Sequence, residues 1–254
     1  MPKWAIKSDI GVVRLENQDK AAVFKNNDAI FAIICDGMGG HEGGKAAAAL
    51  TIEVFEKEFK RNFPLSRRHE DLMGWYYNAL KRIKKTMSKY ANKSKPLLDM
   101  GTTVASALIF HEEIIIYNVG DSRVYIYNEM LQQITRDHNI RNFYIQEYNY
   151  SDEEAAKTLG ASALTSALGP EKKTTLEQFV VPRNEEIFYI ILTTDGIHDY
   201  ISKPKFESIL STDDSLDNKI NNLIKNAIMN KSSDNLTAII VDLQEDQRDR
   251  IIKK

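Results

Sequence analysis

The run Ala29-Ile-Phe-Ala-Ile-Ile-Cys35 decides the fold, together with the sequence Asp36-Gly-Met-Gly-Gly-His41 that follows it directly. An unbroken apolar run of this length is typical of a strand buried on both faces, and Asp and Gly are residues that end strands in tight turns. The next segment, residues 44–59, is rich in alanine and apolar at helical spacing. The sequence therefore predicts a buried strand that delivers a carboxylate, Asp36, to a glycine-rich loop before a helix.

A second helix and a series of short strands follow. Apolar residues recur at helical spacing over about His69–Tyr90, and the stripe expected to be core contains Leu72, Trp75, Tyr76, Ala79, Leu80 and Ile83. After it come four short runs rich in β-branched and aromatic residues: Thr102–Phe110, Glu113–Val119, Arg123–Tyr127 and Leu131–Ile134. The breaks between them are too short for crossover helices, so we expect these strands to pair antiparallel as hairpins.

The second half of the chain contains further strands and helices. Residues Asn139–Lys157 are polar, rich in tyrosine and weakly periodic, and we expect them to leave the core. Strand character returns at Glu186–Thr193, helices are predicted near Lys203–Leu210 and Leu216–Met229, and the last strand is Leu236–Leu243. Helices in blocks and strands in meanders predict an α+β fold, in which antiparallel sheets pack on each other with helices outside.

Composition and charge narrow the function classes. The chain has 254 residues, 36 of them acidic and 34 basic, and a net charge of -2 gives no general attraction to nucleic acid or anionic membrane. The first residues contain no apolar signal segment, and no apolar run reaches the ~20 residues that span a bilayer. The single cysteine, Cys35, excludes an internal disulfide. We therefore expect a cytoplasmic protein that binds neither nucleic acid nor membrane.

Four aspartates stand at the ends of apolar strands. Asp36, Asp121 and Asp195 each follow such a run, and Asp234 immediately precedes the last one. Carboxylates that converge from separate strands repel one another unless a cation lies among them, and an all-oxygen set favours Mg²⁺ or Mn²⁺ over Zn²⁺. Aspartate is also common in ordinary turns, so position alone leaves four unrelated turn residues as an open alternative.

Two other phosphate-binding motifs fit poorly. Gly39-x-x-x-x-Gly44-Lys45 resembles a P-loop, but Ala46 stands where that loop needs a Ser or Thr hydroxyl for Mg²⁺, and the following sheet is predicted to be antiparallel. A cysteine-based phosphatase would use an arginine six positions after Cys35, where His41 stands instead. A cysteine that ends an apolar strand is usually a buried core residue, and we expect Cys35 to be one.

Eight short strings, taken in chain order, carry a family resemblance. They are Ser8-Asp-Ile-Gly11-Val-Val-Arg14-Leu-Glu-Asn17-Gln-Asp19, Asp36-Gly-Met-Gly-Gly-His41, Gly101-Thr-Thr103, Val119-Gly-Asp-Ser-Arg123, Asp137-His138, Leu164-Thr-Ser-Ala-Leu-Gly169, Thr194-Asp-Gly196 and Ser233-Asp-Asn-Leu-Thr237. In this order, over about Ser8–Val241, they resemble the metal-dependent protein phosphatases of type 2C (the PPM family), especially the bacterial branch. Each string is weak alone, but the ordered series is specific.

The resemblance implies an architecture and a domain organisation. It implies a β-sandwich of two antiparallel sheets flanked by helix pairs on both sides. It also implies a single phosphatase domain over residues 1–243, a flap at about 139–160 beside the active site that contributes to substrate choice, and a charged tail at 244–254.

The resemblance also implies a metal centre of two Mg²⁺ or Mn²⁺ ions, with a third, more weakly bound ion. By motif, Asp36 would bridge both ions, and the Gly37 carbonyl would bind the second. The remaining roles implied are Asp195 and Asp234 on the first ion, Asp19 on the second, and Asp121 on the third.

The implied activity is hydrolysis of phosphoserine and phosphothreonine monoesters in proteins. Two divalent ions would convert a bridging water into hydroxide at neutral pH. Arg14 would bind the substrate phosphate, because a planar guanidinium can bond two oxygens at once. The partners would be phosphoproteins, namely the substrates of a serine/threonine kinase, and the protein would act as a monomer.

Three positions depart from the common family pattern. Gln18 replaces a frequent glutamate, as in bacterial members. Met38 stands where many eukaryotic members have a histidine that is proposed to protonate the leaving group, which leaves His41 and His138 as candidates for the general acid. Ser166 replaces an arginine common in Leu-Thr-Arg-Ala-Leu-Gly, a change expected to act on flap anchoring or phosphopeptide contacts.

Two other function classes stay open at this point. A catalytically silent protein of the same fold would bind phosphoproteins or a kinase without turning them over. Such a protein usually lacks a metal-binding acid or the phosphate-binding arginine, and this sequence keeps both kinds of residue. A two-metal site could instead act on a small phosphorylated metabolite or on nucleic acid, although the near-neutral charge opposes nucleic acid.

Overall fold

The computed structural model describes residues 2–92, 94–183 and 186–244, with every side chain in them except those of His41, Lys95 and Pro96. The strands are β1 (Lys3–Asp9), β2 (Lys20–Lys25), β3 (Ile30–Cys35), β4 (Gly37–Met38), β5 (Gly101–Thr102), β6 (Val104–Ile109), β7 (Glu113–Val119), β8 (Arg123–Tyr127), β9 (Leu131–Gln133), β10 (Glu177–Pro182), β11 (Tyr189–Thr193) and β12 (Leu236–Asp242). The helices are α1 (His41–Arg61), α2 (His69–Ala91), α3 (Ile140–Tyr148), α4 (Asp152–Ala156), α5 (Asp195–His198), α6 (Lys203–Leu210) and α7 (Leu216–Met229), and a 3₁₀ helix spans Lys95–Asp99.

Two five-stranded sheets form a sandwich. The first sheet has the order β1-β12-β11-β8-β9, the second has the order β10-β7-β6-β3-β2, and β4 and β5 form a separate two-stranded ribbon. Neighbouring strands in both sheets are antiparallel. The prediction of an α+β fold built from two packed antiparallel sheets is confirmed.

The strand that decides the fold, β3, is buried on both faces because it contributes to two cores. Its even-numbered residues, from Ile30 to Ile34, pack in the core between the two sheets. Its odd-numbered residues, from Phe31 to Cys35, pack under α1 and α2. Since neighbouring side chains of a strand point to opposite faces, a strand between two cores needs an unbroken apolar run. Cys35 is a buried free cysteine, as expected.

Helix pairs cover the outer faces of both sheets. The stripe predicted for α2 is buried in full, and it packs with α1 over the second sheet. On the other side, Phe206 of α6 and Leu223 of α7 belong to the same buried apolar cluster as Ala238 and Ile240 of β12. Each helix pair thus buries its apolar stripe on one sheet, which leaves the strand ends free to carry a site.

One predicted pairing is wrong. Strands β7 and β8 do not form a hairpin, since β7 pairs with β6 and β10 in the second sheet while β8 pairs with β9 and β11 in the first. The link Gly120-Asp121-Ser122 instead carries the chain from one sheet to the other, with Gly120 at a φ of +106°. A second difference is that Asp36 is followed by the two-residue strand β4, not by a loop alone.

The segment expected to leave the core forms the short helices α3 and α4. The Asn139 side chain caps α3 by accepting a 2.9 Å hydrogen bond from the Asn142 amide, and Ser151 and Glu154 form a capping box on α4. Helix α3 buries none of its side chains. Residues 139–160 are called the flap below. Of the expected tail at 244–254, residues 245–254 lie outside the described residues.

Among the described residues, no helix combines the length and apolarity that crossing a bilayer requires.

Candidate active site

The register of the first sheet brings two aspartates together. Thr193, the last residue of β11, lies opposite Ala238 near the start of β12. Asp195 follows β11 and Asp234 precedes β12, so both aspartates leave the sheet at the same rim.

The second sheet delivers two more aspartates to the same side. Val104 at the start of β6 lies opposite Val119 at the end of β7, and the end of β3 pairs with the same part of β6. Asp36 follows β3 and Asp121 follows β7. All four aspartates predicted from the strand ends line one cavity of about 430 Å³, and Arg14 and Gly37 line it too.

The backbone of Asp36 is fixed by Thr103. The Asp36 amide donates to Thr103 Oγ1 (2.9 Å), and the Asp36 carbonyl accepts from the Thr103 amide (2.9 Å). Thr103 Oγ1 also lies 2.7 Å from Ser122 Oγ, beside Asp121. A side chain at position 37 would collide with the carbonyl of Gly44, so only glycine allows the loop to lie against α1. Thr103 thus positions both aspartates of the second sheet.

A close backbone approach also sets the position of Asp195. A Cβ at Gly196 would collide with the carbonyl oxygen of Asn235, so the start of α5 can lie against the Asp234 turn only because residue 196 is glycine. This contact explains why the sequence Asp195-Gly196 opens a short helix, not a hairpin.

Asn235 joins three parts of the site, a role that the sequence reasoning missed. Its Nδ2 donates to the carbonyls of Ile10 (2.9 Å) and Glu16 (3.0 Å), and its Oδ1 accepts from the Gln18 amide (2.8 Å). The loop that carries Arg14 is therefore tied at both ends to the turn that carries Asp234. The only signal in the sequence was the position of Asn235 within Ser233-Asp-Asn-Leu-Thr237.

Arg14 contacts Asp234 directly. Its Nη2 lies 2.6 Å from Asp234 Oδ2, and the two side chains are 54% and 29% exposed. This hydrogen bond is the main reason why the pKa of Arg14 is raised. The guanidinium therefore stays charged at the mouth of the cavity, where it can meet an anion.

Asp19 lies behind the cavity, not on its wall. It is buried, and its Oδ2 accepts a 2.9 Å hydrogen bond from Thr194 Oγ1. Burial raises the pKa of Asp19 to about 7, with the charges of Asp195 and Asp234 adding to the rise and the hydrogen bonds from Thr237 and Thr194 opposing it.

Burial and mutual repulsion raise the pKa values of three carboxyls on the cavity wall, those of Asp36, Asp121 and Asp195. Burial is the largest cause for each. The pKa of Asp36 lies well above its ordinary value, with the charges of Asp19 and Asp195 as the next causes. Burial and the charge of Asp234 raise the pKa of Asp195 to about 6. The pKa of Asp121 is also raised, by burial and by Asp195. A bound cation would remove this repulsion.

The donor set fits a hard divalent cation. The side chains are all carboxylates, and Asp195 Oδ1 is buried without a hydrogen-bond partner among the described residues. Across residues 2–92, 94–183 and 186–244, however, no group of three or more His, Cys, Asp or Glu side chains is arranged as a ready ligand set. The carboxylates share a cavity, and one of them, Asp234, is held by Arg14.

Comparison with known proteins decides the family. A family model described as protein phosphatase 2C matches residues 12–231. The chain belongs to the protein phosphatase 2C family. The matched region contains the cavity residues Arg14, Asp36, Asp121 and Asp195 and ends just before Asp234. The resemblance noted in the sequence is thereby confirmed.

Relatives in the protein phosphatase 2C family match over almost their whole length. The serine/threonine phosphatase stp of Listeria monocytogenes is 30% identical over 96% of this chain and 97% of its own. Among solved structures, serine/threonine phosphatase Stp1 from Staphylococcus aureus superposes with a TM-score of 0.86 at 28% identity, covering 96% of this chain and 95% of its own. The PstP catalytic domain, solved in complex with two manganese ions, has a TM-score of 0.79 at 23% identity over 95% and 97%.

The structure bears on two of the three residues that were singled out for departures from the family pattern, His138 and Ser166, and not on His41. The side chain of His41 lies outside the described residues, so its role stays a prediction. His138 is a structural residue: Nδ1 accepts from the Gly120 amide (3.1 Å) and Nε2 lies 3.0 Å from Glu177 Oε2. Ser166 is buried and exchanges hydrogen bonds with the backbone of Thr175, so it does not line the cavity.

Proposed function

We propose that this protein is a serine/threonine protein phosphatase that uses two divalent metal ions, Mg²⁺ or Mn²⁺, to hydrolyse phosphoserine and phosphothreonine in other proteins. Its membership of the protein phosphatase 2C family supports the reaction. The names of its relatives, among them serine/threonine phosphatase stp, support the substrate class.

The observation that carries the proposal is the convergence of carboxylates beside one arginine. Asp36, Asp121, Asp195 and Asp234 come from separate strand ends to one cavity wall, and Arg14 is at its mouth. Three of these carboxyls have a raised pKa, so the free cavity is under electrostatic strain that divalent cations would relieve. An ordinary set of turn aspartates would have no reason to share a cavity.

We propose the assignment of ligands that the family resemblance implies. Asp36, at the end of β3, lines the cavity and is proposed to bind both ions. Asp195 and Asp234 would hold one ion, and the other would be held by the Gly37 carbonyl and by Asp19, which lies behind the wall. Asp121, on the side of the cavity toward the flap, is proposed to bind a third, weaker ion.

The chain's own residues would bind and orient the substrate. When bound, the ions would supply Lewis-acid chemistry, making a nearby water more acidic and neutralising phosphoryl charge. Arg14 would bind two phosphoryl oxygens with its planar guanidinium, and Asn235 keeps the loop of Arg14 in place. His41 stays the proposed donor of a proton to the leaving oxygen. It begins α1 directly after Gly40, which lines the cavity.

Several finer points belong to the same proposal. We propose that the substrates are those of a serine/threonine kinase, that the protein acts as a monomer, and that it works in the cytoplasm. Residues 1–243 would form one phosphatase domain with the flap at 139–160 as a subdomain and the charged tail at 244–254 after it.

The test is hydrolysis of a phosphothreonine peptide by the purified protein with Mn²⁺. Asp36→Asn and Asp195→Asn should each lower kcat by about 10³-fold, since each removes a charge from the metal centre. EDTA should abolish the activity. Asp213→Asn is the matched control, because this exposed aspartate lies outside the cavity and its loss should change nothing.

Hydrolysis that survives EDTA, or that persists in both cavity variants, would contradict the proposal. Faster turnover of sugar phosphates than of phosphopeptides would instead favour a metabolite phosphatase. The silent binding module gains no support, because the acids and the arginine that such a protein usually lacks are together in one cavity.

A further inference from the structure

The loop between β1 and β2 exposes apolar side chains, and one of them, Leu15, lies at the cavity. Val12 is 66% exposed, Val13 61% and Leu15 88%. They flank Arg14, and Leu15 lines the same cavity as Arg14 and Asp36. Single exposed apolar residues are common on protein surfaces. Three of them within four positions, around the proposed phosphate-binding residue, form a patch that a partner can cover.

This loop holds its side chains in place. Asn235 donates to the carbonyls of Ile10 and Glu16, one at each end of the loop. Gly11 has a φ of +78°, and a Cβ there would collide with the carbonyl of Asp234. The apolar side chains therefore cannot turn inward without breaking these contacts. Since the loop is already ordered, a ligand that covers it loses little further entropy.

The cavity itself has room for more than a phosphoryl group. Its volume of about 430 Å³ is in the range of sites that enclose whole small ligands. Met38 and Leu164 add apolar surface to the wall that carries the carboxylates. A ligand that fits both features has an anionic group for Arg14 and an apolar group beside it.

We infer that the patch formed by Val12, Val13 and Leu15 contacts an apolar side chain of the substrate protein, immediately beside the phosphorylated serine or threonine. Leu15 is then a specificity-determining residue. The inference rests on the proposed phosphatase function and adds a sequence preference to it. The occupant is the substrate, and not a second copy or a membrane, because the patch is continuous with the cavity that receives the phosphate. The carboxylates of Glu16 and Asp234 beside it would also repel an anionic membrane.

The experiment compares two phosphothreonine peptides in Mn²⁺, one with leucine and one with serine on both sides of the phosphothreonine. The readout is the ratio of their kcat/KM values within each variant. We expect the wild type to favour the leucine peptide by roughly three- to tenfold, the effect of partly burying one or two side chains. Leu15→Ser should bring the ratio close to one, and Leu15→Met should keep most of it.

Leu65→Ser is the matched control, because Leu65 is a fully exposed leucine in the α1–α2 connection and does not line the cavity. It should keep the wild-type ratio. A wild-type ratio of one, or a preference that Leu15→Ser leaves intact, would overturn the inference while the phosphatase function stands. Sedimentation that shows a dimer dissolved by Leu15→Ser would also overturn it, since a second copy would then cover the patch. If the wild type hydrolyses neither peptide, the proposed function itself fails.

Discussion

The proposed catalytic cavity, which contains Arg14, Asp36 and Asp234, and the cavity next to it share Asp121 and Asp195, but the charges of their remaining carboxylates are balanced in different ways. The second cavity, of about 550 Å³, lies under the flap. In it, Asp137 accepts two hydrogen bonds from Arg123, through Nε (2.9 Å) and Nη2 (2.6 Å). In the proposed catalytic cavity, Arg14 contacts one of the four aspartates, Asp234, through Nη2 (2.6 Å).

The pKa values of the two regions follow this difference. Burial is the largest single effect on Arg123 and lowers its pKa, but the hydrogen bonds and charges of Asp137 and Tyr125 together outweigh burial, so the pKa of Arg123 is raised. Asp36 and Asp195 have no such arginine partner, and burial together with the repulsion between carboxylates raises their pKa values. The first arrangement stabilises charge in the folded chain, whereas the second destabilises it.

This contrast separates acids that serve the fold from acids that serve a reaction. A buried carboxylate whose charge is balanced by a bidentate arginine gains less from another cation than one without a counter-charge. A group of carboxylates without one costs stability, and such a cost is common at functional sites. The predictions that follow test this division by breaking each kind of arrangement.

The largest effect on stability is expected for Asp137→Asn. The side chains of Arg123 and Asp137 are only 19% and 12% exposed, so the substitution leaves a largely buried guanidinium with only the more distant and more exposed Asp199 (3.7 Å) as a counter-charge. We expect the free energy of unfolding to fall by about 3 kcal/mol, measured by urea denaturation. The comparison is Asp152→Asn, which removes the aspartate of the exposed Arg141–Asp152 pair from the same cavity. If Asp137→Asn lowers the free energy of unfolding no more than Asp152→Asn does, the distinction between acids that stabilise the fold and acids that serve a reaction is wrong.

Arg14→Ala should have the opposite profile. We expect kcat/KM for a phosphopeptide to fall about 100-fold because the phosphoryl oxygens lose a bidentate donor, while stability changes by less than about 0.5 kcal/mol. Arg14→Lys should lie between the two. The control is Arg67→Ala, which removes an arginine from another exposed pair with Asp28 and should leave kcat/KM unchanged. A normal kcat/KM in the Arg14→Ala variant would show that Arg14 does not bind the substrate phosphate.

The uncompensated acids predict an unusual pH dependence in EDTA. In the unfolded chain these carboxyls ionise near pH 4, whereas the folded pKa is about 7 for Asp19 and about 6 for Asp195. Between these values the folded state binds more protons, so their contribution to stability is complete below pH 4 and is lost as the pH rises through 7.

We expect the free energy of unfolding in EDTA to be about 4 kcal/mol lower at pH 7.5 than at pH 5, and Mn²⁺ to restore it at pH 7.5. The measurement is urea denaturation at both pH values. Asp19→Asn should reduce the difference, because it removes the carboxyl whose pKa is about 7. Stability that rises between pH 5 and pH 7.5 in EDTA would show that the acids are not under strain.

The sequence predicted the central strands but, of the four edge strands of the two large sheets, predicted only β9 and missed the other three, for a physical reason. Strands β3, β7, β11 and β12 have neighbours on both sides and lie between two cores, so their apolar runs are unbroken. The missed strands β1, β2 and β10 are all edge strands. An edge strand is half exposed and often carries polar residues, so it has no such run to detect.

The candidate site also has one part that the local sequence predicts and one part that depends on the arrangement of the strands. The position of the aspartates at strand ends is a local property, and Asp36, Asp121, Asp195 and Asp234 could be named from the sequence. The Asn235 contacts and the Arg123–Asp137 pair depend on which strands lie side by side. The jump of the chain from β7 in one sheet to β8 in the other, which the spacing did not predict, creates part of that arrangement.

The smallest effect is expected at the ion pair of the flap. Arg141 makes two hydrogen bonds to Asp152, just as Arg123 does to Asp137, but the side chains are 42% and 70% exposed. Solvent already stabilises both charges there, so a double-mutant cycle of Arg141→Gln and Asp152→Asn should give a coupling energy below about 0.5 kcal/mol, and less in 1 M salt.

The flap does not depend on this pair for its position, because the amides of Ile140 and Arg141 donate to the carbonyls of Ala163 and Ala161 whatever the side chains do. Arg141→Gln should therefore leave kcat/KM for a phosphopeptide unchanged as well. A coupling energy as large as that of Arg123 with Asp137 would mean that burial does not decide which pairs hold the fold. The contrast between the two cavities would then have to rest on bidentate geometry alone, since geometry is the property that both pairs share.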